Sequence, residues 1–143
     1  MSKVRENLLR VMERIEKAAQ RVGRDPGEIK LVAVSKTVET TRIKEAIEAG
    51  ISILGENYVQ EAGEKMEKIK DKAVRWHFIG HLQKNKVKLA VEIFDCIETV
   101  DSIELAHEIN KRAKEPIDCF IEVNIAREKT KTGVDAEGAV KLA

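Results

Sequence analysis

One lysine in this chain stands where it could react covalently with a carbonyl compound. Lys36 follows the apolar run at 31–34 and a single serine, Ser35. An uninterrupted apolar run predicts a strand covered on both faces, as in a parallel sheet under helices. Ligands of parallel α/β folds bind at the carboxyl ends of the strands. A lysine amine at that end can form a Schiff base with a carbonyl group. The alternative is an ordinary lysine whose amine extends into water.

Three polar residues follow other apolar runs and would lie at the same edge of the sheet as Lys36. They are Asn57, His81 and Asn124. Each also has a purely structural interpretation, because asparagine and histidine at such junctions can cap a helix or satisfy loop backbone groups. His77, which precedes His81 within a strand, is expected to be buried and hydrogen-bonded.

Apolar periodicity defines the elements that would position these residues. An N-terminal helix is predicted over 2–22, with Ser2 as its cap, and five strand–helix units follow. The strands are predicted at 31–34, 51–54, 74–79, 96–100 and 117–123, and the last helix begins near Asp135. This alternation predicts an α/β protein with right-handed crossovers. By pattern alone, five units fit an open flavodoxin-like sheet better than an eight-stranded barrel.

Several finer predictions concern helix starts and the core. Thr40 or Thr41 is expected to cap the second helix, and Asp101 with Glu104 resembles a capping box. The periodicity also places three further side chains in the apolar core: Tyr58, Cys96 and Cys119.

Composition limits the classes of function. The 143 residues are enough for one domain, assigned to 1–143. The 26 basic and 25 acidic side chains nearly cancel, so no strong overall field favours nucleic acid or an anionic membrane. No apolar run reaches membrane-spanning length, and no signal peptide is recognisable. We therefore expect a cytoplasmic protein with reduced cysteines and no metal site.

Three segments together resemble a known family. They are 55–61, which begins Gly-Glu-Asn-Tyr, 76–86, and the Lys-Thr-Gly sequence at 131–133. With Lys36, they resemble the pyridoxal-phosphate homeostasis protein family, which are single-domain relatives of the alanine racemase barrel. The Trp-His-Phe sequence at 76–78, followed by glycine and a glutamine-lysine pair, is the most specific part.

The resemblance implies a (β/α)8 barrel preceded by a helix, with pyridoxal 5′-phosphate (PLP) held on Lys36 as an internal aldimine. It also implies that Asn57 lies near the phenolate oxygen of the cofactor and His81 beside its ring. Val34 would pack under the ring, and Asn124 would face the mouth of the barrel.

The resemblance covers about five strand–helix units, so the expected barrel is truncated. Segments equivalent to strands 6–8, which carry the phosphate site in barrels of this type, have no counterpart here. We therefore expect weaker, faster-exchanging cofactor binding, and possible self-association through the incomplete barrel edge.

The leading functional hypothesis is a PLP carrier for cofactor homeostasis, without strong turnover. A PLP-dependent racemase or lyase is the first alternative and needs a second acid–base group near the substrate. The others are a non-functional structural piece of such a barrel, a Schiff-base aldolase that uses Lys36 without a cofactor, and a nucleic-acid binder. The balanced charge and 3% aromatic content argue against nucleic-acid binding.

Overall fold

Five parallel strands form one sheet in the order β1-β2-β3-β4-β5. The computed structural model describes residues 1–143. The strands are β1 (Ala33–Val34), β2 (Ile53–Glu56), β3 (Arg75–Phe78), β4 (Cys96–Val100) and β5 (Asp118–Ile121). The helices are α1 (Lys3–Arg21), α2 (Thr40–Glu48), α3 (Val59–Ile69), α4 (Val87–Ile93), α5 (Ile103–Arg112) and α6 (Ala136–Leu142). Short 3-10 turns occupy Pro26–Glu28 and Lys84–Lys86. The predicted alternation of strands and helices is confirmed.

The strand order distinguishes the two architectures considered for this sequence. In a flavodoxin-like sheet the first strand lies between the second and the third. Here each strand pairs with the one before it, so β1 lies at one edge of the sheet and β5 at the other. This sequential order is that of a barrel sector, and the flavodoxin-like interpretation of the pattern was wrong.

The core lies between one face of the sheet and the helices. Within β3, Trp76 and Phe78 point toward the helices, while His77 between them points to the opposite face, as the two-residue period of a strand requires. The Phe78 ring meets the Phe94 ring edge-on, with centroids 5.3 Å apart. The other large contributors are Leu54, Ile97, Val59, Val87, Leu105 and Ile109.

The opposite face of the sheet is only partly covered. Val34 pairs with Gly55, which pairs with His77, so Val34 lies on this face, and it is 54% exposed. Cys119 pairs with Ile97 and so lies on the helix-covered face, but it is exposed as well. Two predictions were therefore wrong: that the run at 31–34 is covered on both faces, and that Cys119 lies in the core. Both residues belong to edge strands with one strand neighbour each, and an apolar run in the sequence does not reveal that a strand lies at an edge.

The predicted helix caps are confirmed only in part. Ser2 caps α1, since its Oγ accepts a hydrogen bond from Arg5 N at 3.3 Å. The cap position of α2 is instead Glu39, which makes no side-chain capping bond. Ser102 caps α5 in place of Asp101, whose carboxylate accepts a hydrogen bond from Gly133 N at 3.4 Å.

None of the helices combines the length and apolar character needed to cross a membrane.

Candidate functional site

Lys36 stands directly beyond the carboxyl end of β1, at a sharp turn of the backbone. Ser35 before it is buried, whereas Val34 and Lys36 are both exposed. Val34, two residues before Lys36, offers an exposed apolar side chain at the end of β1. No ion pair in the structure includes Lys36. Its amine is therefore accessible and free to meet a ligand.

Thr37 adopts a backbone conformation that is rare for its residue type. Its φ is +59°, in the left-handed region, which is costly for a β-branched side chain. Such a conformation persists only where neighbouring contacts hold it. Here the Thr37 N–H donates to Glu61 Oε1 of α3 at 2.7 Å. The turn after Lys36 is thus fixed by a carboxylate from the second strand–helix unit.

A buried lysine on α3 holds the other side of the same segment. The Lys65 side chain is 8% exposed, and its ammonium group has three acceptors. It donates to the backbone oxygen of Ser35 at 2.6 Å, to Glu56 Oε1 at 2.7 Å and to Glu61 Oε1 at 2.7 Å. Ser35 Oγ also donates to Glu56 Oε1 at 2.6 Å. We call Ser35, Glu56, Glu61 and Lys65 the buried lysine cluster.

The charges of the cluster explain why it holds together. Two carboxylates share one ammonium group, and Glu56, which is completely buried, has one oxygen without a partner. The hydrogen bond from Lys65 is the main cause that lowers the pKa of Glu61, and burial opposes it. The Lys65 ammonium group donates to two carboxylates and one carbonyl oxygen at short distances, and these charge-assisted hydrogen bonds hold it in place.

The sequence analysis missed this cluster, although a signal for it exists. Glu61 and Lys65 are four residues apart on a helix, a spacing that commonly marks an exposed ion pair. However, Lys65 continues the inward-facing stripe of α3 that begins with Val59 and Ala62. A lysine on an apolar stripe, facing a glutamate at a strand end, indicates a buried pair.

Asn57 and His81 come together in a shallow cavity of about 200 Å³ beyond the ends of β2 and β3. Oδ1 of Asn57 is buried and has no hydrogen-bond partner. A Cβ on Gly80 would overlap the backbone of Asn57, so glycine is required for the β3–α4 loop to pack this closely. This unpartnered oxygen is an acceptor that an N–H or O–H group of a ligand could satisfy.

Tyr58 lies in the same cavity, which corrects another prediction. Its side chain is 59% exposed, because Tyr58 occupies the cap position before α3 and not the apolar stripe of the helix. The phenol therefore lies beside Asn57 and His81.

Asn124 does not line the cavity that contains Asn57 and His81. It follows β5, at the opposite edge of the sheet from β1. Its amide donates to Glu128 O at 2.9 Å and accepts from Glu128 N at 3.1 Å, inside its own loop. A ligand contact by Asn124 stays a prediction.

A second group of polar residues lies within β3 and β4. His77 is buried, as expected, and its Nδ1 is 2.6 Å from Glu98 Oε1. Cys96 lies close by, with the donor atoms of all three residues within 4.8 Å of one another. Burial, and after it the charge of Glu98, raises the pKa of the Cys96 thiol to about 11. The group is thus a hydrogen-bonded His–Glu pair beside a buried thiol.

The two cysteines are expected to react very differently with alkylating reagents. At pH 8, Cys96 should stay unmodified in the folded chain, because it is buried and the raised pKa leaves almost no thiolate. Cys119 is exposed and should react first, although burial of its thiol also raises its pKa. Peptide mass spectrometry after a timed iodoacetamide reaction measures both rates, and equal rates would contradict this assignment. The same reaction in urea should label both.

Comparisons with known proteins show the family of this chain. Residues 6–143 match the family described as alanine racemase, N-terminal domain. Two relatives named pyridoxal phosphate homeostasis protein, from Aquifex aeolicus and Escherichia coli K12, are 46% and 42% identical over 96% and 100% of this chain. The chain spans 61% and 64% of their respective lengths.

A solved structure of another protein has a similar fold. PipY of Synechococcus elongatus, with PLP bound, superposes with a TM-score of 0.69 and 35% identity, over 85% of this chain and 57% of that one. The sequential parallel sheet is thus a partial barrel like the matching part of PipY. The chain belongs to the alanine racemase N-terminal domain family.

Proposed function

We propose that this chain binds PLP through a Schiff base on Lys36 and takes part in the intracellular homeostasis of that cofactor as a carrier. The observation that carries the proposal is the position of Lys36: an accessible amine at the carboxyl end of β1, on a segment fixed from both sides. The names of the relatives and the PLP bound to PipY support the choice of cofactor.

The residues proposed to hold the cofactor offer groups that suit an aromatic aldehyde of this kind. In its unprotonated form the amine adds to the aldehyde carbon, water leaves, and a carbon–nitrogen double bond takes the place of the carbon–oxygen bond. Val34 would pack under the pyridine ring, since its exposed apolar side chain lies two residues before Lys36 at the end of β1. Asn57 would donate a hydrogen bond to the phenolate oxygen through its amide N–H, and His81 would lie beside the ring. These two residues line one cavity, which Lys36 and Val34 do not line.

A cytoplasmic location is part of the proposal. Both cysteines are free thiols, as expected in a reducing compartment.

Titration with PLP tests the proposal directly. We expect the unaltered chain to develop a visible absorption band that saturates at one equivalent, and Lys36→Ala to lose it. Lys44→Ala removes an exposed lysine of α2 and serves as the matched control, with the band retained. A band of equal strength in Lys36→Ala would overturn the assignment.

A PLP-dependent racemase or lyase is a second candidate, favoured by one observation. The exposed phenol of Tyr58 lies in the same cavity as Asn57 and His81, and a phenol is a possible second acid–base group. Steady racemisation of an amino acid that requires both Lys36 and Tyr58 would favour this candidate over the carrier.

We also propose that the chain self-associates through its sheet edges. β1 and β5 each have a neighbouring strand on one side only, and Phe120 of β5 is exposed. Unpaired strand edges beside exposed apolar side chains favour pairing with another chain. Multi-angle light scattering across a concentration series should show species larger than 16.1 kDa. A monodisperse monomer at every concentration would rule the proposal out.

A further inference from the structure

We infer that Glu61 and Lys65 are positioning residues that hold the backbone on both sides of Lys36, so that its amine is presented at the carboxyl edge of the sheet. The inference rests on the proposed function, because it assigns these residues a role in binding a carbonyl ligand. Neither residue contacts that ligand in the proposal, and both act through Lys36.

The first observation is the symmetry of the contacts around Lys36. The carbonyl oxygen immediately before it, of Ser35, accepts from Lys65 at 2.6 Å. The N–H immediately after it, of Thr37, donates to Glu61 at 2.7 Å. Glu61 and Lys65 are themselves joined at 2.7 Å. One ion pair on α3 therefore fixes both peptide groups that flank the reactive residue.

The second observation is that the segment needs such support. β1 contains only Ala33–Val34 and pairs only with β2, so the sheet itself ends before Lys36. Thr37 has a positive φ, and a β-branched residue leaves that conformation unless contacts hold it. Without the bond to Glu61, the turn would exchange among several conformations.

The third observation is that the pair is anchored to the sheet. Lys65 also bonds Glu56, the completely buried last residue of β2, and Ser35 Oγ bonds the same carboxylate oxygen. Residues locked by buried neighbours hold a ligand-binding group more accurately than free loop residues do. The buried lysine cluster thus connects the Lys36 turn to the rigid part of the fold.

Variants of Glu61 separate positioning from bulk stability. Glu61→Ala removes the acceptor for Thr37, whereas Glu61→Gln keeps an oxygen of similar reach. Glu64→Ala, an exposed residue on the same helix, is the matched control. If the competent turn is populated about a tenth of the time in Glu61→Ala, the apparent affinity for PLP falls about tenfold. We expect Glu61→Gln and Glu64→Ala to bind within about twofold of the unaltered chain.

Hydrogen exchange of the Thr37 amide, measured by NMR without PLP, gives a second reading. We expect exchange to be at least about tenfold faster in Glu61→Ala and nearly unchanged in Glu61→Gln, because protection follows local opening. If Glu61→Ala does not fold, Glu61→Asp serves in its place, since it keeps the charge but shortens the reach to Thr37.

The outcomes distinguish this inference from the proposed function. Unchanged Thr37 exchange in Glu61→Ala, or faster exchange with unchanged PLP affinity, would overturn the positioning role while leaving PLP binding intact. Absence of any PLP adduct on Lys36 in the unaltered chain would overturn the proposed function, and the positioning role with it, whatever the exchange rates. PLP affinity and Thr37 amide exchange that are both close to those of the unaltered chain in Glu61→Gln would support the inference.

Discussion

Replacing Lys65 with methionine is expected to lower the free energy of unfolding by about 3–5 kcal/mol. Lys65 is buried, and its ammonium group is the only cation in contact with the carboxylates of Glu56 and Glu61. Methionine fills similar space but removes the positive charge beside both carboxylates and the donor to the Ser35 carbonyl. Each carboxylate then keeps a single neutral donor, Ser35 Oγ for Glu56 and the Thr37 N–H for Glu61. Removing one partner of a buried ion pair costs this much because the remaining charge is uncompensated. Urea unfolding at pH 7, followed by circular dichroism, measures the change.

Two further variants make this prediction specific. Lys68→Met alters an exposed lysine on the same helix and should change stability by less than about 0.5 kcal/mol. The double variant Lys65→Met with Glu56→Leu should recover part of the loss, since a buried pair can often be replaced by apolar groups. A loss below about 1 kcal/mol for Lys65→Met alone would show that the cluster is not buried and paired as described.

Replacing Phe78 with alanine is expected to lower the free energy of unfolding by a similar amount, about 3–5 kcal/mol. The side chain is 1% exposed at the centre of the core and packs edge-on against Phe94. Alanine would remove the ring and leave a cavity between the sheet and the helices. Leu89→Ala, at a position on α4 that is 43% exposed, is the control and should cost clearly less. Thermal and urea unfolding of both variants would check this, and equal losses would contradict the described core.

The class of fold could be predicted because its signal is local. Apolar runs separated by amphipathic segments give strands and helices directly, and β4 was placed correctly at both ends. The strand order could not be read from the pattern. It depends on where each helix returns the chain to the sheet, and the same alternation suits both flavodoxin-like sheets and barrels. The family resemblance, not the periodicity, pointed to the barrel.

The candidate site was predicted only in outline, for physical reasons. Lys36 could be found because its position at a strand end is a one-dimensional property of the sequence. The roles of Glu61 and Lys65 depend on burial by a neighbouring strand–helix unit, and Ser35 and Lys65 are 30 residues apart. The error at Cys119 has a related cause, since periodicity predicts a face but not whether a second layer covers it. The error at Tyr58 arose because periodicity does not fix the residue at which a helix begins, and α3 begins at Val59.

The central claim is that Lys36 carries PLP, and locating the adduct tests it most directly. The chain would be mixed with one equivalent of PLP, reduced with borohydride and digested for peptide mass spectrometry. The account predicts a single phosphopyridoxyl group on Lys36, absent from Lys36→Ala and retained in Lys44→Ala. Labelling scattered over exposed lysines, or none at all, would contradict it.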